Sequence, residues 1–162
     1  MTGEWSEWAR VADWLERGWN ASPEAPYDKG VYRFRINLAH PERAGEVVYI
    51  GRAGKQGDRK GIGICARLAS FITAAMGFWT LHSGGERFYK ELADEAKGIA
   101  GGGLSVRDLE VSWATDDDPE CREAEELTRL SERPRCNKQG PKTCKRENCE
   151  RAGKLWEDHK LW

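Results

Sequence analysis

GVYRFRINLAHPERAGEVVYIGRA, residues 30–53, is the stretch that decides the fold. In its first half Val31, Arg33, Arg35 and Asn37 alternate with Tyr32, Phe34, Ile36 and Leu38. A period of two sends the second set to one side of an extended chain and the charged set to the other, so the pattern predicts a β-strand with one buried face. AHPERAG, residues 39–45, contains a proline and a glycine and reads as a turn. EVVYIG, residues 46–51, is rich in β-branched residues and forms the returning strand of an antiparallel hairpin.

Outward from the hairpin, helix signals take over. RAGKQGDRKGIG (52–63) is a glycine-rich basic loop leading into a helix, ICARLASFITAAM (64–76). A second helix is expected over roughly 84–99, stopped by the glycines at 101–103. LSVRDLEVSWAT (104–115) returns as a strand, and Asp118-Pro119 is an N-cap followed by a first-turn proline for a helix through Arg133. On the other side, NASPEAPYDKG (20–30) breaks the chain. Before it, Trp8, Val11, Ala12, Leu15 and Trp19 share one face of a helix over 4–19. The expected fold class is therefore α+β, a small three-stranded antiparallel sheet flanked by helices. It divides into an N-terminal helical extension (1–28), a core (29–137) and a basic, cysteine-bearing C-terminal tail (138–162) that packs on the core.

The chain has 162 residues, 39% hydrophobic and 33% charged, which describes one soluble domain rather than a disordered chain. No apolar run approaches the roughly 20 residues that span a bilayer. MTGEWSEWARVADW lacks the basic start and apolar core of a signal peptide, so a reducing cytoplasm is expected, with the five cysteines not paired as disulfides. The net charge of −1 conceals segregation. Residues 1–29 carry three basic and six acidic side chains (−3), and 30–80 carry eight and three (+5). Residues 81–132 carry six and fourteen (−8), and 133–162 nine and four (+5). The two basic blocks suit a phosphate backbone, although a solvated surface of mixed sign has the same composition.

Gly30-Val31-Tyr32 on the first strand and Tyr49-Ile50-Gly51 on the second, with a helix bearing Arg67-Leu68, an acidic helix after the third strand and Arg133-Pro134-Arg135-Cys136-Asn137, resemble the GIY-YIG nuclease family. The resemblance covers about residues 29–137. It implies metal-dependent endonuclease activity on DNA, leaving a 5′-phosphate and a 3′-hydroxyl, with Mg²⁺ or Mn²⁺ and no organic cofactor. By resemblance Tyr32 activates the attacking water and Tyr49 orients the nucleophile or the phosphate. Arg67 stabilises the transition state and Asn137 supports the site. Arg52 contacts phosphate, and Lys55 and Lys60 in the glycine-rich loop are candidate substrate-binding residues. The chemistry needs such groups: water must be activated, and the charge gathering on phosphorus must be neutralised by a cation and by a guanidinium fork. A tyrosine acting as base must first fall below its ordinary value near 10. A family histidine often follows the helix arginine, where this chain has Ala69, Ser70 and Phe71.

Glu123, Leu127 and Leu130 stand at i, i+4 and i+7 of the acidic helix, so Glu123 shares the inward stripe and is the preferred metal carboxylate. Glu125 is the alternative, twelve residues before Asn137, but it points away from that stripe. In the tail Cys136, Cys144, Cys149 and His159 compose a ligand set that zinc accepts, with seven, four and nine residues between them. Free thiols are the preferred reading, because no CxxC knuckle is present. Six tryptophans (5, 8, 14, 19, 156 and 162) cluster at the two ends and are expected to pack the terminal segments on the core. DNA is the expected partner, and a site-specific, restriction-type homodimer cutting both strands is one arrangement. A weakly specific repair or defence nuclease and a non-catalytic nucleic-acid-binding module are the others.

Overall fold

The computed structural model describes residues 3–17, 25–54, 63–78, 82–93 and 104–137. It is an α+β fold whose sheet has four antiparallel strands in the order β1-β4-β2-β3. These are β1 (Ala9–Arg10), β2 (Gly30–Ile36), β3 (Val47–Ala53) and β4 (Leu109–Thr115). The helices are α1 (Val11–Glu16), α2 (Gly63–Ala75), α3 (Ser83–Arg87) and α4 (Pro119–Arg129). A π-helical turn continues α3 over Phe88–Ala93. The hairpin forms as the alternation dictates, with Tyr32 opposite Gly51 and Phe34 opposite Tyr49, and a bulge between Phe34 and Arg35. Among the described residues no helix is long and apolar enough to cross a membrane.

The sheet gains its fourth strand from the segment expected to begin the N-terminal helix. Residues 3–10 run extended along β4: the Gly3 and Ser6 N–H groups donate to the Thr115 and Trp113 carbonyls (2.8 and 2.7 Å), and Ala9 pairs with Val111. The open edge of β4 offered more backbone partners than one early helical turn could, so only Val11–Glu16 coil. The other helices also differ in length from the sequence pattern. Described helical structure after His82 reaches Ala93, and residues 94–103 lie outside the described set. α4 stops at Arg129 rather than Arg133, with Leu130 already extended. Pro134 removes an N–H and disfavours helical backbone at the residue before it, so the chain leaves the helix early.

Both faces of β2 are covered, not one. Tyr32, Phe34 and Ile36 are fully buried against Ile64, Leu68, Phe71, Phe88 and Leu92. Phe34 stacks on Phe71 at 4.0 Å between ring centres. On the opposite face Trp5 and Trp8 lie over the Arg33 guanidinium (3.9 and 4.8 Å), and Trp8 lies over that of Arg35 at 4.0 Å. Glu126 and Glu110 pair with these arginines. The N-terminal tryptophans therefore pack on the core as expected: Trp5 and Trp8 roof the charged face, and Trp14 meets Trp113 at 6.0 Å. Trp19, Trp156 and Trp162 are outside the described residues.

Candidate active site

The two signature tyrosines meet because β2 and β3 are in register. Gly51 lies opposite Tyr32, and a Cβ there would sit 2.8 Å from the Tyr32 hydroxyl and 2.6 Å from the Tyr49 ring. The glycine of YIG is thus the space into which both rings fold. Gly84 at the start of α3 closes the other side, where a Cβ would stand 2.4 Å from the Tyr49 ring. The ring centres of Tyr32 and Tyr49 are 6.0 Å apart.

His82 completes the cluster, and nothing in the sequence pattern singled it out. It is 1% exposed, and its Nε2 lies 2.8 Å from the Tyr32 hydroxyl. Nδ1 accepts the Gly85 N–H at 3.3 Å as the N-cap of α3. That bond makes Nδ1 the acceptor and leaves the proton of the neutral ring on Nε2, facing Tyr32. The resemblance places a histidine shortly after Arg67, whereas this ring arrives from the loop before the next helix. The available signal was HSGGER (82–87), a polar ring at a loop–helix junction followed by two glycines that give room to the Tyr49 ring and to α2.

Arg67 enters from α2 and its charge bears on the Tyr32 hydroxyl, with the Tyr49 ring beside it. His82 supplies the hydrogen bond to the phenol oxygen, and the Arg67 charge favours its ionised form. Burial outweighs them: Tyr32 is pushed up to about 12, Arg67 opposing and Glu123 adding to the rise. Tyr49 is raised well above its ordinary value, again by burial first and then by Tyr32 and Glu123. In this state both hydroxyls are protonated at neutral pH, the reverse of what a resting base requires.

The acidic helix presents its carboxylates to different places. Glu123 and Glu120 both reach Arg52, at 3.3 and 3.2 Å, and the charge of Glu123 bears on both tyrosines. Glu125 pairs with Arg129 instead. Glu126, buried at 6% exposure, turns to Arg33, Arg122 and Arg129 on the tryptophan-covered face. Asn137 is committed to backbone: its Oδ1 accepts the Ile50 N–H at 3.0 Å, and its Nδ2 donates to the Ile50 carbonyl at 2.8 Å. It pins the edge strand that carries Tyr49.

The remaining sequence-derived candidates separate clearly. Lys55, Lys60, Cys144, Cys149 and His159 lie outside the described residues. Cys136 is a free thiol buried in the core, pushed up to about 12 chiefly by that burial. The expectation that no cysteine pairs fails at Cys121, which is disulfide-bonded. Among the described residues no three His, Cys, Asp or Glu side chains gather as a metal-binding group. Mg²⁺ asks less of a protein, since it keeps several waters and binds through one or two carboxylates and the substrate phosphate. Glu120 and Glu123, whose oxygens converge on a single Arg52 nitrogen, fit that donor set.

No protein-family model, curated protein or solved structure matches this chain.

Proposed function

We propose that the chain is a GIY-YIG-type nuclease that hydrolyses a phosphodiester in DNA, with Tyr32, Tyr49, Arg67, His82 and Glu123 as its working residues. The observation that carries this reading is His82 Nε2 at 2.8 Å from the Tyr32 hydroxyl, with the Tyr49 ring beside it and the Arg67 charge bearing on it. A fully buried phenol needs no such company for packing. Glu123, with Glu120 beside it, would hold Mg²⁺ or Mn²⁺, which supplies positive charge against the phosphate and the leaving 3′-oxygen.

The residues then divide the work. Arg67 is the guanidinium available to phosphate oxygens, and its charge already favours the ionised form of Tyr32. Tyr32 would first give its own proton to solvent and then accept one from the attacking water, so the phenol is regenerated. The resulting phenolate would be held by the Nε2–H of His82 and the charge of Arg67. Neutralising Glu123 removes one of the charges that keep both tyrosines protonated. Asn137 acts through the strand and touches no reacting atom.

A non-catalytic nucleic-acid-binding module is the second reading. It is favoured by one observation, that Tyr32 is 0% exposed and its hydroxyl is enclosed. Incubation of the purified protein with supercoiled plasmid and Mg²⁺ separates the two. The nuclease reading expects nicked, linear or fragmented DNA whose ends are ligatable, and no product in a chelator. Plasmid that is bound but never cut in Mg²⁺ or Mn²⁺ selects the module instead.

A further inference from the structure

Arg52 stands where a cation would. One of its terminal nitrogens, Nη1, contacts Glu120 Oε1 at 3.2 Å and Glu123 Oε2 at 3.3 Å. The arginine comes from the end of β3 and the carboxylates from the first two turns of α4, so the pair also ties helix to sheet edge. All three side chains are partly withdrawn from water, with 23%, 35% and 21% of Arg52, Glu120 and Glu123 exposed. Two carboxylate oxygens aimed at one nitrogen are also two oxygens aimed at one point. Mg²⁺ would sit about 2.1 Å from such oxygens, where the guanidinium nitrogen stands beyond 3 Å. Twice the charge at two thirds of the distance gives about threefold the Coulomb attraction, set against the water the ion must shed. Guanidinium and ion cannot share the place, because their charges repel.

We propose that Arg52 is a built-in counter-ion of the cation site, holding Glu120 and Glu123 until a divalent ion displaces it toward the substrate phosphate. The role of the phosphate rests on the nuclease reading above; the competition between arginine and ion does not. Glu120 thereby becomes a second carboxylate of the site. The fork of Arg52 becomes available to phosphate only when the ion is in place, so the cation and the phosphate contact are coupled.

The test uses the full chain without DNA, titrated with MnCl₂ in a calorimeter, with thermal melts on the same samples. Arg52→Gln removes the competing charge and is expected to bind Mn²⁺ about tenfold tighter than the unsubstituted protein, the order of one close charge pair at a partly exposed site. Arg52→Met, which keeps the aliphatic stem, should do the same. Arg52→Lys retains a cation and should bind close to the original affinity. Glu120→Gln should bind more weakly. Without any substitution, Mg²⁺ should shift the Arg52 side-chain Nε–H resonance as the guanidinium is released. Charge-free variants that bind Mn²⁺ no tighter than the original, including no binding by either, overturn the proposal, as does an Arg52 resonance indifferent to Mg²⁺. Because no DNA is present, a failure here is distinct from a failure to cut plasmid.

Discussion

Tyr32 concentrates the residue-scale argument, because packing and chemistry can be separated on one atom. Its ring fills the space over Gly51, and its hydroxyl meets His82 while the Arg67 charge bears on it. Tyr32→Phe keeps the ring and deletes the oxygen. Below pH 10 the phenol is neutral in both the folded and the unfolded chain. Between pH 10 and the folded value of about 12, the unfolded phenol ionises and the folded one does not. Stability therefore falls as pH rises through that window, by at most about 3 kcal/mol from this group. Melts at pH 8 and near pH 11.5 should show a larger loss in the original protein than in Tyr32→Phe; equal losses would mean that the hydroxyl is not enclosed as described. Single-turnover cleavage by the same variant should slow by on the order of 10²–10⁴ at neutral pH while the fold is retained. His82→Gln should slow cleavage too, since Nε2–H no longer faces the oxygen. Full activity in that variant would remove the histidine from the site. The motif made Tyr32, Tyr49 and Arg67 legible, because strand register and one helix fix where they meet. His82 was not legible, being fifty residues from Tyr32 and on another element.

At the scale of elements, the sequence was read best where periodicity had no competitor. The hairpin alternation gave β2 and β3, and Asp118-Pro119 gave the start of α4, where Asp118 Oδ1 accepts the Cys121 N–H at 3.3 Å. Helical spacing holds over Val11–Glu16 but is overridden as far as Arg10 by the free edge of β4, a partner that no local window contains. The same blindness hid the second cover of β2: Arg33 and Arg35 looked solvated, yet Trp5, Trp8, Glu110 and Glu126 enclose them. Asn137 shows what a single side chain does for an element. Its amide occupies the outward N–H and carbonyl of Ile50, and the Cys136 N–H takes the Val48 carbonyl at 2.9 Å, so the far edge of the sheet is closed. Asn137→Ala leaves two buried backbone groups unpaired and should cost about 2 kcal/mol, seen as a fall of roughly 5 °C in Tm. The cost arises from the strand, so residual cleavage at low temperature should exceed that of Tyr32→Phe. Asn137→Ala with an unchanged Tm would show that the clamp holds nothing.

For the molecule as a whole, the charge segregation seen in the sequence now has a place in the fold. The basic block of residues 30–80 supplies Arg52 and Arg67, and the acidic block of 81–132 supplies Glu120 and Glu123. Opposite charges from distant stretches are thus brought to one edge of the sheet, which a net value of −1 could not reveal. The central claim is that this edge is a phosphodiesterase centre whose cation is held by Glu123. The most direct test is single-turnover cleavage of an end-labelled duplex in Mg²⁺ by Glu123→Gln and Glu125→Gln, with duplex binding measured on both. Glu123→Gln should bind the duplex but cut at least about 10³-fold more slowly, as expected when a charge that acts in the transition state is removed. Glu125→Gln, which loses only its pairing with Arg129, should cut within a few-fold of the original protein. Near-normal cleavage by Glu123→Gln, or abolition by Glu125→Gln alone, would contradict the account.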